Sequence, residues 1–576
     1  MWLIMSVKKD KKRSCDFLER KWNYDKGLGR FQTFPQLANF FYLWHKDLTA
    51  IKSNEGGGIT ETTYAQLWTD IRNISSRLTS AKLNGAHVAI IGEISREWIS
   101  LFFGVTSSGG VVVPLDKDYS AENLAEQAKH ADIKVLAIDA KDRKSIEKAR
   151  ELKKLLPGLS LYISFGELDG FENLRGYLNR EDSGVEFQDI DPDKTAMMVF
   201  TSGTTDISKI VMLSHKNICA DVNGCIASMK NDMYPTGVEI PILPPHHMFC
   251  LTASVFTQLY YGMTLIMGGG IKQFSENMKR FKPMMMIVVP MIADGLYKRI
   301  WSEASKNNKD GLLKKMIRLS NFLRKIKIDL RHVLFKSVIA GFGGKLNIII
   351  SGGAFLEPEM VTRFEELGII FLNGYGITEC SPVLSLNPPH AIKLGSVGTA
   401  ISGCEIKIVN GEICVKGDAV MKGYYKNEKA SASAFEDGYF KTGDLGYFDD
   451  EGYLFITGRK KNLIILGDGN NICPEELEVP LEKQSLVKSV FVVCDEKNGQ
   501  SLLTAKIFPD LEHAAEIGVT DVQLALKAQI KKLNLSLPPY KHIKQIEIVS
   551  RDFEKTALGK IKRYVNERGD GTYLQV

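Results

Sequence analysis

The stretch "TSGTTDISK" (201–209) brings together the residue types that grip phosphate. Thr201, Ser202, Thr204 and Thr205 offer hydroxyl donors. Gly203 lets backbone N–H groups approach an anion, and Lys209 can set a point charge on a phosphate. The preceding "KTAMMVF" (194–200) reads as a buried strand, so the loop leaves a strand end, where α/β sheets carry ligand loops. It lacks the Gly-x-x-x-x-Gly-Lys spacing of a Walker loop, and a Ser/Thr-rich turn by itself is more often only a loop. Asp206 stands where such a loop would be expected to spare negative charge.

Four other segments carry chemistry. "LPPHHMF" (243–249) sets His246 and His247 beside an aromatic residue. "NGYGITE" (373–379) frames Tyr375 between Gly374 and Gly376, ahead of Thr378 and Glu379. "YFKTGDLGYFDDEGYLFITGRKK" (439–461) offers Asp444 and Arg459. "KTALGKIKR" (555–563) presents Lys560 after a flexible glycine; by its residue types alone this is a basic tail.

The elements that must position these residues are α/β in pattern. "HVAIIG" (87–92), "VVVPLD" (111–116) and "KVLAID" (134–139) suit buried strands. "REWISLFFGVTSSGG" (96–110) and "AENLAEQAKHA" (121–131) suit helices between them, which predicts parallel α/β layers. The pattern returns in "NIIISGG" (347–353), a helix over 357–368 and a strand within 369–376. Short aromatic and β-branched runs over 395–458 predict a β-subdomain. After it, strands at 489–494, 501–507 and 545–549 and a helix at 521–533 predict a compact α+β unit. The expected division is a basic extension over 1–34, a large domain over 35–460 and a small domain over 461–576. No internal repeat is present.

Composition bounds the function. With 576 residues, 44% hydrophobic and 25% charged, the chain can bury a large core. A net charge of +6 is too weak to argue for nucleic acid. Nine single cysteines, with no Cys-x-x-Cys pair, argue against a zinc ribbon and for a reduced, cytoplasmic setting. "MWLIMSVKKDKKR" puts its charge after its short apolar run, the reverse of a secretory signal. The apolar stretch 249–267 is interrupted by polar residues and reads as a buried helix and strand rather than a membrane span. The basic amphipathic stretch 311–336 is either a solvated helical face or a contact for anionic lipid at the inner membrane face or for an acidic partner.

Taken together, in this order and at these separations, the five motifs closely resemble the adenylate-forming superfamily. The resemblance runs from about residue 35 to about residue 565. "SGGAFLEPEMVTRFEELGIIFLNGYGITECSPV" and "GNNICPEELE" look most like bacterial long-chain fatty acid–CoA ligases. It implies a large N-terminal domain of two α/β layers with a β-subdomain, and a small mobile α+β C-terminal domain. It also implies a reaction in two halves. ATP and a carboxylate give an acyl-adenylate and pyrophosphate, and the thiol of coenzyme A then displaces AMP.

Residue by residue, the resemblance implies that Glu379 holds Mg²⁺ at the phosphates and that Thr378 adjoins them. Tyr375 packs on adenine, Asp444 accepts the ribose hydroxyls and Arg459 makes a second ribose and phosphate contact. Lys560 reaches the carboxylate and α-phosphate during adenylation. His247 lies near the acyl carboxylate, with His246 packing beside it. Lys461 is the hinge, and Gly469 and Asn471 line the thiol tunnel after the small domain turns.

The chain departs from the family where Thr-Gly-x-Pro-Lys-Gly is usual and Thr205, Asp206, Ile207, Ser208, Lys209 and Ile210 stand instead. The hydroxyls and Lys209 remain, so the loop is expected to work, with the Asp206 carboxylate turned outward. Cys250 after Phe249 cannot pair a substrate ammonium, and segments 249–267 and 350–356 are apolar, which fits a fatty or aryl acid. Two other readings stand beside the ligase: acyl transfer to the phosphopantetheine of an acyl carrier protein, and an impaired pseudo-ligase that only binds.

Overall fold

The structure is a computed structural model that describes residues 31–576, apart from 56–57, 179, 202–208, 230–235, 269, 467–470, 498–499, 556–560 and 567–570. The expected alternation forms an eight-stranded sheet. Its order is Gly423–Tyr424, Ile210–Ser214, Thr195–Phe200, Val111–Leu115, His87–Ile91, Val135–Ile138, Leu161–Ser164 and Glu172–Asn173. The central strands are parallel, with His87 opposite Val111 and Val88 opposite Val135. Apart from His87, the strands His87–Ile91, Val111–Leu115 and Val135–Ile138 are apolar because both faces are covered. Helix Arg96–Ser107 crosses between two of them; the Ser95 hydroxyl caps it by accepting from the Trp98 N–H.

Phe34, Phe102, Phe103 and Phe256 meet in a buried aromatic nest, with Phe34 and Phe102 centroids 4.8 Å apart and edge-on. This nest ties helix Phe34–His45 to helix Arg96–Ser107 and to the segment after the histidine pair. That segment, 249–267, is a helix and a strand as expected, but its first part, Cys250–Phe256, winds as a π-helix. The wider turn misaligns the usual hydrogen bonds. The Thr257 hydroxyl donates to the Thr252 carbonyl and the Gln258 amide to that of Ala253, each five residues back.

A second sheet runs Met285–Val288, Ile348–Ser351, Ile370–Gly376, Val383–Leu386 and Thr399–Ala400, parallel over the first three strands and antiparallel afterwards. Within 395–458, Thr399–Ala400 thus belongs to this sheet and Gly423–Tyr424 to the eight-stranded one. The rest forms its own antiparallel sheet from Cys404–Val409, Glu412–Gly417, Phe435–Glu436, Tyr439–Phe448 and Leu454–Arg459. A short strand can be read from its composition, but its partner cannot.

The C-terminal sheet contains Val487–Lys497, Gln500–Pro509 and Gln545–Ile548, with helix Val522–Asn534 contributing Leu526 and Ile530 to its core. It also has an edge strand that sequence reasoning missed, Thr572–Gln575, antiparallel to Gln545–Ile548. Lys506 and Glu547, from adjacent strands, form a buried ion pair at 3.1 Å. Removing one partner leaves an uncompensated buried charge, which costs about 3–5 kcal/mol. Lys506→Met is therefore expected to speed amide exchange in Gln500–Pro509 and Gln545–Ile548 by about a hundredfold or more, while His87–Ile91 keeps its protection. Unchanged exchange in the C-terminal strands would show that the pair does not hold this sheet together.

Candidate active site

Strands from the three N-terminal sheets described above end around one cavity of about 1020 Å³. Thr201, Lys209, His246, His247, Gly374, Tyr375, Gly376, Thr378, Glu379, Arg459 and Lys461 line it. The chain therefore folds residues from four of the five motifs onto one space. The described ends of the fifth, Lys555 and Lys562, line it too, and Lys555 bridges to Ile561. Lys560, Ser202, Gly203, Thr204, Thr205, Asp206 and Gly469 lie outside the described residues.

The phosphate-type loop differs in setting from the strand-to-helix turn of an α/β sheet. Thr195–Phe200 returns antiparallel as Ile210–Ser214, with Phe200 opposite Ile210, so 202–208 join the arms of a hairpin. Its base is pinched: the Thr201 N–H donates to the Lys209 carbonyl at 2.9 Å, and the Thr201 hydroxyl reaches the same oxygen at 3.3 Å.

Asp444 is buried in contact with the lining residues Arg459 and Tyr375. It lies directly opposite Arg459 across two antiparallel strands. Arg459 Nε donates to Asp444 Oδ1 at 2.9 Å, and the Tyr375 hydroxyl donates to Oδ2 at 2.7 Å. Burial first, then the Asp444 charge, pushes the Tyr375 phenol well above its usual pKa, so it remains a donor. Each carboxylate oxygen has a second lone pair left for a ligand hydroxyl. Tyr375 reaches this point because Gly376 lets the chain pass close to the next strand; a Cβ there would sit 2.0 Å from the Pro382 carbonyl oxygen.

Glu379 follows on the single turn Thr378–Cys380. Its Oε1 accepts from the Tyr424 hydroxyl at 3.0 Å, and the Tyr424 ring carries the Lys209 ammonium 4.6 Å from its centroid. Tyr424 thus connects the loop lysine to the carboxylate. Sequence reasoning missed it, since nothing in "MKGYYKN" distinguishes this tyrosine from a core residue.

The histidine rings lie 4.3 Å apart, and His246 Nε2 is 3.6 Å from Asp116. Burial, with His246 beside it, lowers the His247 pKa to about 3, so its imidazole is neutral near pH 7. Beyond His247 the cavity becomes apolar, between Cys225, Met229, Phe249, Ala253, Met285 and Ile287. Lys461 sits on the turn Lys460–Asn462, its pKa lowered by partial burial and then by Arg459. Asn471 lies on the short strand Asn471–Ile472 that pairs with Ile464–Ile465.

The AMP-binding enzyme family model matches residues 44–425. The chain belongs to this family. Among curated relatives, long-chain-fatty-acid–CoA ligase FadD15 of Mycobacterium bovis is 27% identical, over 88% of this chain and 90% of its own. Long-chain-fatty-acid–CoA ligase 5 of Rattus norvegicus is 29% identical, over 84% and 78%. The crystal structure of ATP-bound MatB from Rhodopseudomonas palustris superposes with a TM-score of 0.73 at 24% identity, covering 92% of this chain and 98% of that one. The adenylate-forming fold is therefore that of this AMP-binding enzyme, with a large N-terminal and a smaller C-terminal domain.

In an AMP-binding enzyme, Tyr424 has a checkable task. A hydrogen bond to a charged group contributes about 1.5–3 kcal/mol. Tyr424→Phe keeps the ring under Lys209 but frees the Glu379 carboxylate. The Michaelis constant for ATP is expected to rise about tenfold at limiting Mg²⁺ and less at saturating Mg²⁺, as read by ATP–pyrophosphate exchange. An unchanged constant at both concentrations would remove Tyr424 from the site.

Proposed function

We propose that the protein activates a fatty acid with ATP and passes the acyl group to coenzyme A. The observation that carries this reading is one cavity whose polar end is lined by Arg459, Tyr375, Glu379 and Lys209 and whose other end is lined by apolar side chains, with Asp444 held by Arg459 and Tyr375. The relatives named long-chain-fatty-acid–CoA ligases, matched over most of this chain, support the same substrate and acceptor. They favour coenzyme A over a carrier protein, and an active ligase over a pseudo-ligase.

In the first half-reaction a fatty carboxylate oxygen attacks the α-phosphorus of ATP. The carboxylate–phosphorus bond forms, the α–β bridge breaks and pyrophosphate leaves. Asp444 and Arg459 would fix the ribose, Tyr375 the adenine, and Thr201 and Lys209 the phosphates. The charge developing on the α-phosphate needs cations fixed in advance. Lys560 would supply one; its neighbours Lys555 and Lys562 line the cavity. Glu379 suits Mg²⁺, which favours one or two carboxylates plus substrate phosphates over a cage of protein ligands. When bound there, the ion neutralises phosphate charge. Neutral His247 would border the acyl carboxylate without adding charge.

In the second half-reaction the thiol of coenzyme A gives up its proton and its sulfur attacks the acyl carbon. The carbon–oxygen bond to AMP breaks. Lys461 would be the hinge that withdraws Lys560 and brings 469–471 toward the site. Among the described residues, no helix is long and apolar enough to cross a membrane.

Acid-dependent ATP–pyrophosphate exchange across chain lengths, followed by thioester assay with coenzyme A and with carrier protein, tests the reading. Exchange with no fatty acid would overturn it. Lys560→Ala is expected to lower exchange about 10²–10³-fold while sparing thioester formation from supplied acyl-adenylate. Lys461→Pro fixes φ near −65° and is expected to impair one half-reaction far more than the other. Equal losses in both half-reactions would count against these roles.

A further inference from the structure

The helix Asp310–Lys325 and the chain that follows it carry a surface the ligase reaction does not use. The helix packs on helices Pro290–Lys306 and Pro358–Glu366 through Leu313, Met316 and Ile317, which join the core around Met286, Val288 and Ile349. That stripe accounts for one apolar face. Leu312, Leu319 and Phe322 form a second stripe, about 130° round the helix at 3.6 residues per turn. They are exposed, Phe322 at 62%. The chain beyond continues the apolar surface with Ile326, Ile328 and Val333, the last 70% exposed. Large apolar side chains clustered like this mark an interaction site.

Charge narrows the occupant. Residues 311–336 hold eight Lys and Arg against one acid, Asp329, a net of +7 where the whole chain has +6. Arg331 holds that one acid at 2.6 Å. A second copy of this surface would meet the same charge and be repelled. An anionic bilayer accepts both features, with apolar side chains entering the headgroup boundary and lysine stems lying along it, their ammonium groups among the phosphates.

We propose that this surface docks the protein on anionic phospholipid membranes. The strand beneath gives the contact a use. Met286 and Val288 face the helices, while Met285 and Ile287, which alternate with them, line the acyl end of the cavity. The docked helices would hold that cavity against the phase into which long acyl chains partition. This use rests on the fatty-acid reading, whereas docking itself does not.

Co-sedimentation of the full chain with vesicles separates the two. Binding is expected to vesicles of equal parts phosphatidylcholine and phosphatidylglycerol, to weaken with salt, and to be slight with phosphatidylcholine alone. Reversing Lys314, Lys315, Arg324 and Lys325 to Glu is expected to weaken it about a hundredfold or more. Leu319→Ser with Phe322→Ser is expected to weaken it about tenfold or more while ATP–pyrophosphate exchange with a short soluble acid is retained, a control that reports folding. Binding that ignores salt and both variants would overturn the proposal. So would loss of binding on removing residues 1–30 alone, which assigns the membrane to that segment. A concentration-dependent dimer abolished by the serine pair would overturn it in favour of a second copy, and binding to an acidic protein but not to vesicles would overturn it in favour of a protein partner. Vesicle binding without any acid-dependent exchange would leave docking standing and sink the ligase reading.

Discussion

The site depends on satisfying one buried carboxylate. Asp444 is removed from water, and an isolated ionised carboxylate in that position would cost several kcal/mol. Arg459 and Tyr375 offset that cost, and each arrives from a different strand. Arg459 is opposite Asp444 only because Tyr439–Phe448 and Leu454–Arg459 pair antiparallel in that register. Tyr375 arrives only because Ile370–Gly376 emerges from the second sheet beside them. Satisfying one carboxylate therefore locks the antiparallel sheet onto the end of the second sheet. Arg459 is also the last residue before the turn Lys460–Asn462, so the same contact anchors the base of the proposed hinge.

Much of this was legible in one dimension. Strands buried on both faces are unbroken apolar runs, so 87–92, 111–116 and 134–139 recur as His87–Ile91, Val111–Leu115 and Val135–Ile138. Asp444, Arg459, Tyr375 and Glu379 could be named because each stands in a motif with a fixed order. What escaped depends on pairing. An apolar run reads alike whether its neighbour is parallel or antiparallel: the loop does leave the end of strand Thr195–Phe200, but its antiparallel return as Ile210–Ser214 is not legible in the sequence. Apolar periodicity does not separate a π-turn from an α-turn at Cys250–Phe256, where the difference lies in which side chain reaches which carbonyl. Tyr424 reaches Glu379 across 45 residues, because Gly423–Tyr424 adds itself to the edge strand Ile210–Ser214.

That edge pairing also bears on Asp206. The strand carrying Tyr424 lies against the outgoing arm of the hairpin, and the Tyr424 ring meets Lys209 at the arm's start. The lysine is thus held at the mouth of the cavity by an aromatic face. A carboxylate within about 4 Å of one phosphate charge would cost about 4 kcal/mol at an effective dielectric near 20. Several phosphate charges would multiply that cost, and one lysine would not cancel it. A loop that serves ATP therefore needs the Asp206 carboxylate directed away from the phosphates. The pinch between Thr201 and Lys209 limits what the loop must accomplish. With both ends fixed by the hairpin and the cation placed by Tyr424, the residues between can depart from the usual glycines and proline without moving the two groups, Thr201 and Lys209, that the sheet itself sets at the cavity.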